Sequence, residues 1–208
     1  MMNNFTPSED LLNLSKKVEI TLSEKRYRHT LGVASASVRL GAYFLPNKLN
    51  ELYAAALLHD IAKELDIEAT RELLSVVTPP LSCEDLAIPA AFHSLVAPVI
   101  IKRDFPLYAS EEILTAVYEH TLGNPNMSLF SKIIFLADYI EDGRTYPACR
   151  NVADFVYSAL ESCKIERTTV LNQGILKVLE NTEAFLENHG QKIHSRLTLT
   201  KNSLIGLI

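Results

Sequence analysis

Apolar residues recur at spacings of three and four along almost the whole chain, and this constrains the fold more than anything else in it. "PSEDLLNLSKKVEITLS" puts Leu11, Leu12, Leu14 and Val18 on one stripe behind a start at Ser8 or Asp10. "RYRHTLGVASASVRLGAYF" repeats the spacing with small residues that permit close approach of a neighbour, and "LNELYAAALLHDIAKEL" reads as a third helix. The loop "TPPLSCEDLAIPAA" interrupts with three prolines. Beyond it lie "FHSLVAPVIIKRDF" and "SEEILTAVYEHTLG", where Ser110 and two acids suit an N-terminus and Gly123 a stop. "MSLFSKIIFLADYIEDG" and long amphipathic segments through "VADFVYSALESCKIERTTVLNQGILKVLENTEAFLENH" follow. The alternation of a half-buried strand is absent, so the expectation is an all-α bundle of about eight to ten helices.

No repeat, low-complexity tract or linker divides the chain, and its 208 residues suit one domain spanning 1–208. A net charge of −5 argues against a nucleic-acid partner, which calls for a basic face, but leaves room for a local cationic pocket around a small anionic substrate. The N-terminal "MMNNFTPSEDLLNLSKKVEI" lacks the pattern of a secretory signal, and no apolar run approaches the roughly 20 residues that span a bilayer. Cys83, Cys149 and Cys163 are odd in number and form no C-x-x-C, so reduced thiols and a cytoplasmic location are expected.

Against this apolar helical text, a few ionisable residues stand out. His59 and Asp60 interrupt "AAALLHDIAKEL", His29 lies between Tyr27 and Leu31, and His93 follows Phe92. His120 shares a face with Ile113, Ala116 and Val117, and Asp138 breaks "IIFLADYI". An unpaired carboxylate taken out of water costs several kcal/mol. Core packing has no need of four imidazoles and two carboxylates so placed, and a metal ion accounts for them together. The mixed nitrogen and oxygen donors, without thiolate, lean toward iron or manganese over structural zinc. Neighbours His59 and Asp60 diverge by about 100° around a helix, so both can reach one ion.

The order His29, His59-Asp60, Asp138 resembles the HD superfamily of metal-dependent phosphohydrolases. "LLHDIAKEL", "FHS", "EHTLGNPNMS" and "FLADYIEDGRTYP" are more specific and resemble the YqeK family, whose members split diadenosine tetraphosphate symmetrically into two ADP. The similarity runs from about Arg26 to "IHSRLTLTKNSLI", with the motifs concentrated in about 26–150 and the C-terminal helices completing the pocket. One departure is Asn124, after "HTLG", where the family often carries a basic residue.

The resemblance implies an HD-type hydrolase with iron, or manganese or another divalent ion, held by His29, His59, Asp60 and Asp138. It assigns His93 and His120 either to a second metal or, as the favoured reading, to phosphate contact and proton donation to the leaving ADP. Lys63 lies four residues after His59 and three after Asp60, hence on the same helix face, and Arg144 follows a glycine; both suit neutralising phosphate charge. Catalytic roles fall on Asp60, Lys63, His93 and His120. Contact with the substrate extends to His29, Thr121, Asp138 and Arg144, and to Asn181 and Thr182 in "LENTEAFL". Arg26 and Arg28 read as solvated, and His189 and His194 as parts of a polar tail. A homodimer is a property of many family members. The rival readings are another HD-type nucleotidase or phosphodiesterase, and a metal-stabilised nucleotide-binding regulatory module.

Overall fold

The computed structural model describes residues 5–207. Among them are eleven α-helices and no strand. In chain order these are α1 (Glu9–Glu19), α2 (Glu24–Phe44), α3 (Leu49–Leu58), α4 (Ile67–Val76), α5 (Cys83–Leu86), α6 (Phe92–Asp104), α7 (Glu111–Glu119), α8 (Leu129–Ile140), α9 (Pro147–Ser162), α10 (Arg167–Asn188) and α11 (Ser195–Ile205). The architecture is the all-α one expected. The count is one above the expected eight to ten, and the proline-rich stretch, read as loop, contains the single-turn α5. Ser82 and Asp85 close a reciprocal capping box there, which two hydroxyl and carboxylate side chains make possible.

Local chemistry sets the helix starts. Ser8, Ser23, Asp66, Ser110 and Ser128 each accept a hydrogen bond from a backbone N–H of the first turn, an arrangement worth about 1 kcal/mol each. Packing sets the middle. In α8, Phe130, Ile133, Ile134, Phe135, Leu136, Ala137 and Ile140 are all buried, which leaves the helix apolar on nearly every side. It accordingly lies centrally, against α2, α3, α7, α9 and α10.

Helix α3 is the second inner element, with Leu52, Leu57 and Leu58 fully buried; truncating one of them to Ala would cost about 2–5 kcal/mol. Small residues let α2 come close: a Cβ on Gly41 would run into the side chains of Leu49 and Leu52. The long helix α10 packs on α8, α9 and α11, and Val178 and Thr182 on it line the cleft. No helix among the described residues is long and apolar enough to cross a membrane. Cys83, Cys149 and Cys163 are free thiols.

Candidate active site

The ends of α3 and α7 use the same device. Helix α3 stops at Leu58, with His59 as its C-cap, and the chain continues in tight turns rather than in helix. This corrects the expectation that His59 and Asp60 sit inside a helix. The reason is visible at the last turn: His59 Nδ1 donates to the Ala56 carbonyl at 2.6 Å, taking the acceptor that a continuing helix would use. Helix α7 stops at Glu119, and His120 Nδ1 donates to the Val117 carbonyl at the same distance. A carbonyl only accepts, so Nδ1 carries the proton in both rings and Nε2 is left with a free lone pair aimed inward. The turn after His120 closes at Gly123, whose φ of +68° and contact with Thr200 both exclude a side chain.

His29 enters from the second turn of α2. Its Nδ1 lies 3.1 Å from Glu141 Oε1 and its Nε2 3.0 Å from Asp138 Oδ1, the latter without hydrogen-bond alignment. Thus three imidazoles are oriented through Nδ1 while Nε2 faces a common centre, the orientation adopted by metal-ligating histidines. Asp138, on the last turns of α8, and Asp60 bring the carboxylates. His59 Nε2 is 3.5 Å from Asp60 Oδ2 and 3.9 Å from Asp138 Oδ1, and His29 Nε2 is 3.8 Å from Asp60 Oδ2.

His29, His59 and Asp138 each offer a donor atom within 4.8 Å of the others, as do His59, Asp60 and His120. The buried Nε2 atoms of His29 and His59 have no hydrogen-bond partner. Buried polar atoms are nearly always satisfied, so two such atoms converging on carboxylate oxygens fit a divalent cation.

The electrostatics match the geometry. Burial pulls the His29 imidazole down, but Asp138 and Glu141 outweigh it and raise it to about 9. Burial pushes Asp60 and Asp138 up, yet the surrounding imidazoles, joined by Arg144 at Asp138, hold both well below the usual carboxylate range. His93 is different. Burial, reinforced by the neighbouring His120 ring and the Lys63 ammonium, drives it down to about 2, so its ring is neutral.

The remaining expected residues form the other side of a cleft of about 140 Å³. His93, in the first turn of α6, lies 3.2 Å from His120 Nε2, 3.3 Å from Asp60 Oδ1 and 3.0 Å from the Thr121 hydroxyl. Lys63 Nζ stands 3.1 Å from His93 Nε2. Lys63 reaches the cleft from the turn after α3, not from a continuing helix face, through a 2.9 Å bond from its own N–H to the Asp60 carbonyl. Burial pulls its ammonium below the ordinary lysine value, against the attraction of Asp60 and Asp138.

Arg144 does line the cleft, but its guanidinium is committed to Asp138, at 2.9 Å from Oδ1 and 3.2 Å from the backbone carbonyl. Thr182 also lines it, its hydroxyl donating to the Val178 carbonyl at 2.8 Å. Asn181 does not; it stands beside the Tyr139 phenol, which does. Asn124 lies apart and accepts from the Asn126 N–H at 2.9 Å.

Three further participants escaped the sequence reading. Arg26, read as solvated, turns inward to Asp60 at 2.8 Å. Glu141 is buried against His29, and Gly32 makes this possible, since a Cβ there would collide with the Glu141 carboxylate. Tyr139 completes the rim. The available signals were an arginine three residues before His29, and a glycine and an acid each three residues after a ligand candidate. His194, read as part of a polar tail, is buried and caps α11.

An all-α fold with a buried cluster of histidines and aspartates between its helix ends defines a class of helical proteins built to hold a divalent ion. The chain belongs to the HD domain family, whose model matches residues 26–143. It is 31% identical over 199 residues to a symmetrical bis(5'-nucleosyl)-tetraphosphatase of Halalkalibacterium halodurans, covering 93% of this chain and 98% of that one. It is also 31% identical over 189 residues to the Bacillus subtilis protein of the same name, covering 90% of this chain and 94% of that one. A crystal structure from Clostridium acetobutylicum, of a predicted HD superfamily hydrolase involved in NAD metabolism, superposes with a TM-score of 0.80 at 31% identity. It covers 98% of this chain and 100% of that one.

Proposed function

We propose that the protein is a hydrolase that splits diadenosine tetraphosphate symmetrically, giving two ADP. The observation that carries this is the convergence of His29, His59, Asp60 and Asp138, with two buried Nε2 atoms left unpartnered, in a chain similar over nearly its full length to symmetrical bis(5'-nucleosyl)-tetraphosphatases. These four residues would hold the ion, and their donor set suits iron or manganese. His120 stands close enough to His59 and Asp60 to join them. A divalent ion bound there supplies Lewis-acid polarisation of phosphoryl oxygen and a more acidic water.

The chain's own residues supply the rest. A water oxygen forms the new bond to one of the two central phosphorus atoms. The bond from that phosphorus to the central bridging oxygen breaks, and the leaving ADP takes up a proton. His93, held neutral, contributes hydrogen bonding rather than charge, together with Thr121. Lys63, whose ammonium burial pulls below the ordinary lysine value, brings a cation to the departing phosphate and is the better placed proton donor of the two. Arg144 and Arg26 brace Asp138 and Asp60 and present their remaining N–H groups to the phosphates.

The test is chromatography of the products of diadenosine tetraphosphate, with metal analysis of the same sample. ADP alone is the expected product. AMP and ATP in equal amounts would mean asymmetric cleavage and overturn the assignment.

A further inference from the structure

Helix α8 ends beside the cleft, and its last turn contains no basic residue of its own. The carbonyl end of a helix leaves acceptors without intrahelical partners and carries partial negative charge. Two guanidiniums from beyond the helix meet it. Arg144 takes the Asp138 carbonyl, and Arg150 Nη2 donates to the Ile140 carbonyl at 3.1 Å. Arg150 Nη1 also reaches the Asp142 carbonyl at 3.5 Å and the Asp142 Oδ1 at 3.4 Å. Local chemistry does not recommend an arginine here. Arg150 lies near the start of α9, where the positive end of the helix disfavours a cation. What favours it is across the gap, at the end of α8.

The guanidinium holds the backbone on both sides of Glu141. The Glu141 carboxylate in turn has little freedom. Its Oε2 accepts from the Gly143 N–H at 2.5 Å, while Oε1 lies 3.1 Å from His29 Nδ1. The Arg144 N–H donates to the Glu141 carbonyl at 3.0 Å, and a Cβ on Gly143 would press against both carboxylate oxygens. A shift of the loop would therefore move the carboxylate, and with it the group that orients the His29 ring.

We propose that Arg150 is a positioning residue of the metal centre: by holding the Ile140 and Asp142 carbonyls it fixes Glu141, which aims His29. It acts from outside the cleft, which it does not line. The proposal rests on the reading of the cleft as a divalent-ion site.

Manganese(II) titrated by calorimetry into the metal-free protein measures the effect without turnover. Arg150→Ala should lower the affinity about tenfold, the lower end of the range for losing an outer partner of a metal ligand. The sign is informative, because by charge alone the removal of a cation raises affinity for a divalent ion. In a Glu141→Ala background the same substitution should change the affinity by less than about twofold, since the residue it acts through is gone. Unchanged or raised affinity in Arg150→Ala, or equal losses in the two backgrounds, would overturn the proposal. If Arg150→Ala did not fold, Arg150→Gln would decide: a fall in affinity that depends on Glu141 supports the proposal, and an unchanged affinity removes it. Failure of the metal-site reading looks different. The unmodified protein would then bind no manganese, which removes both.

Discussion

Two clusters in this molecule contain the same residue types, and they differ in how completely their histidines are satisfied. At the edge, His194, Asp85 and Arg196 join α5 to α11. Both oxygens of Asp85 are engaged, by His194 and Arg196 on one side and by Ser82 on the other, and His194 Nδ1 accepts from the Arg196 N–H at 3.0 Å. In the cleft, His59 and Asp60 are buried and His29 and Asp138 half-buried, yet the Nε2 atoms of His29 and His59 point at a shared centre with no hydrogen-bond partner. A histidine engaged through both ring nitrogens, as His194 is, braces the fold. A cluster that leaves donors converging and unsatisfied is arranged for something that comes from outside.

The sharpest way to break this comparison is to remove a converging donor. His59→Ala and Asp138→Ala should each abolish bound metal and lower activity by more than the ~100-fold that typically follows loss of an outer partner of a metal ligand. Retention of full metal content by Asp138→Ala, measured by elemental analysis, would show that the cleft is not the metal centre.

Glu141→Gln probes one step further out. Glu141 contacts His29 Nδ1 rather than the centre, so the variant should still bind metal but with affinity lower by roughly 10–100-fold. A metal titration distinguishes this from loss of the site, and an unchanged affinity would make Glu141 a purely structural acid.

Arg144→Ala should keep its metal and lose roughly tenfold in turnover, since one charge-assisted contact is worth about 1.5 kcal/mol. The loss should appear in kcat if the guanidinium meets charge developing during transfer, and in KM if it only holds the substrate. Because Arg144 also braces Asp138, metal analysis of the same sample is needed, and a loss of metal would reassign it to positioning.

The edge cluster supplies the control, with the smallest effect on the site. Asp85→Asn should leave metal content unchanged and lower stability instead. Burial pushes the Asp85 carboxyl up, but Ser82 and Arg196 outweigh it and lower it to about 2. The folded value is depressed, so the stabilisation is fully present above the unfolded value of about 4 and is lost as pH falls toward about 2; at neutral pH it amounts to about 2 kcal/mol. Denaturation at pH 7 and at pH 2 should show the difference between the two proteins shrinking. A difference that persists at pH 2 would mean the cluster acts through packing alone.

The cleft was more legible in the sequence than its architecture was. His29, His59, Asp60, His93, His120 and Asp138 stood out because ionisable residues in apolar helical text are costly to bury, and the structure brings all six together. The route to the cleft was less visible. His59 and Asp60 continue an apolar period that looks helical, but the His59 side chain takes the Ala56 carbonyl and ends α3 there. Lys63 therefore arrives by a turn. Arg26 could not be told from Arg28, since both precede His29 closely. Only the fold sends one to Asp60 and the other to Glu24 at the surface.

The residue pattern by itself determined the all-α class, the helix starts at Ser8 and Ser110, and the identity of the ligand candidates. These depend on periodicity, capping and the cost of burying charge, which act within a few residues or on single side chains. Tertiary structure alone decided that Glu141 meets His29 across 112 residues, that His194 pairs with Asp85, and that an apolar pocket opens beside the cleft. Such pairings depend on which helix faces meet, and no local spacing encodes that.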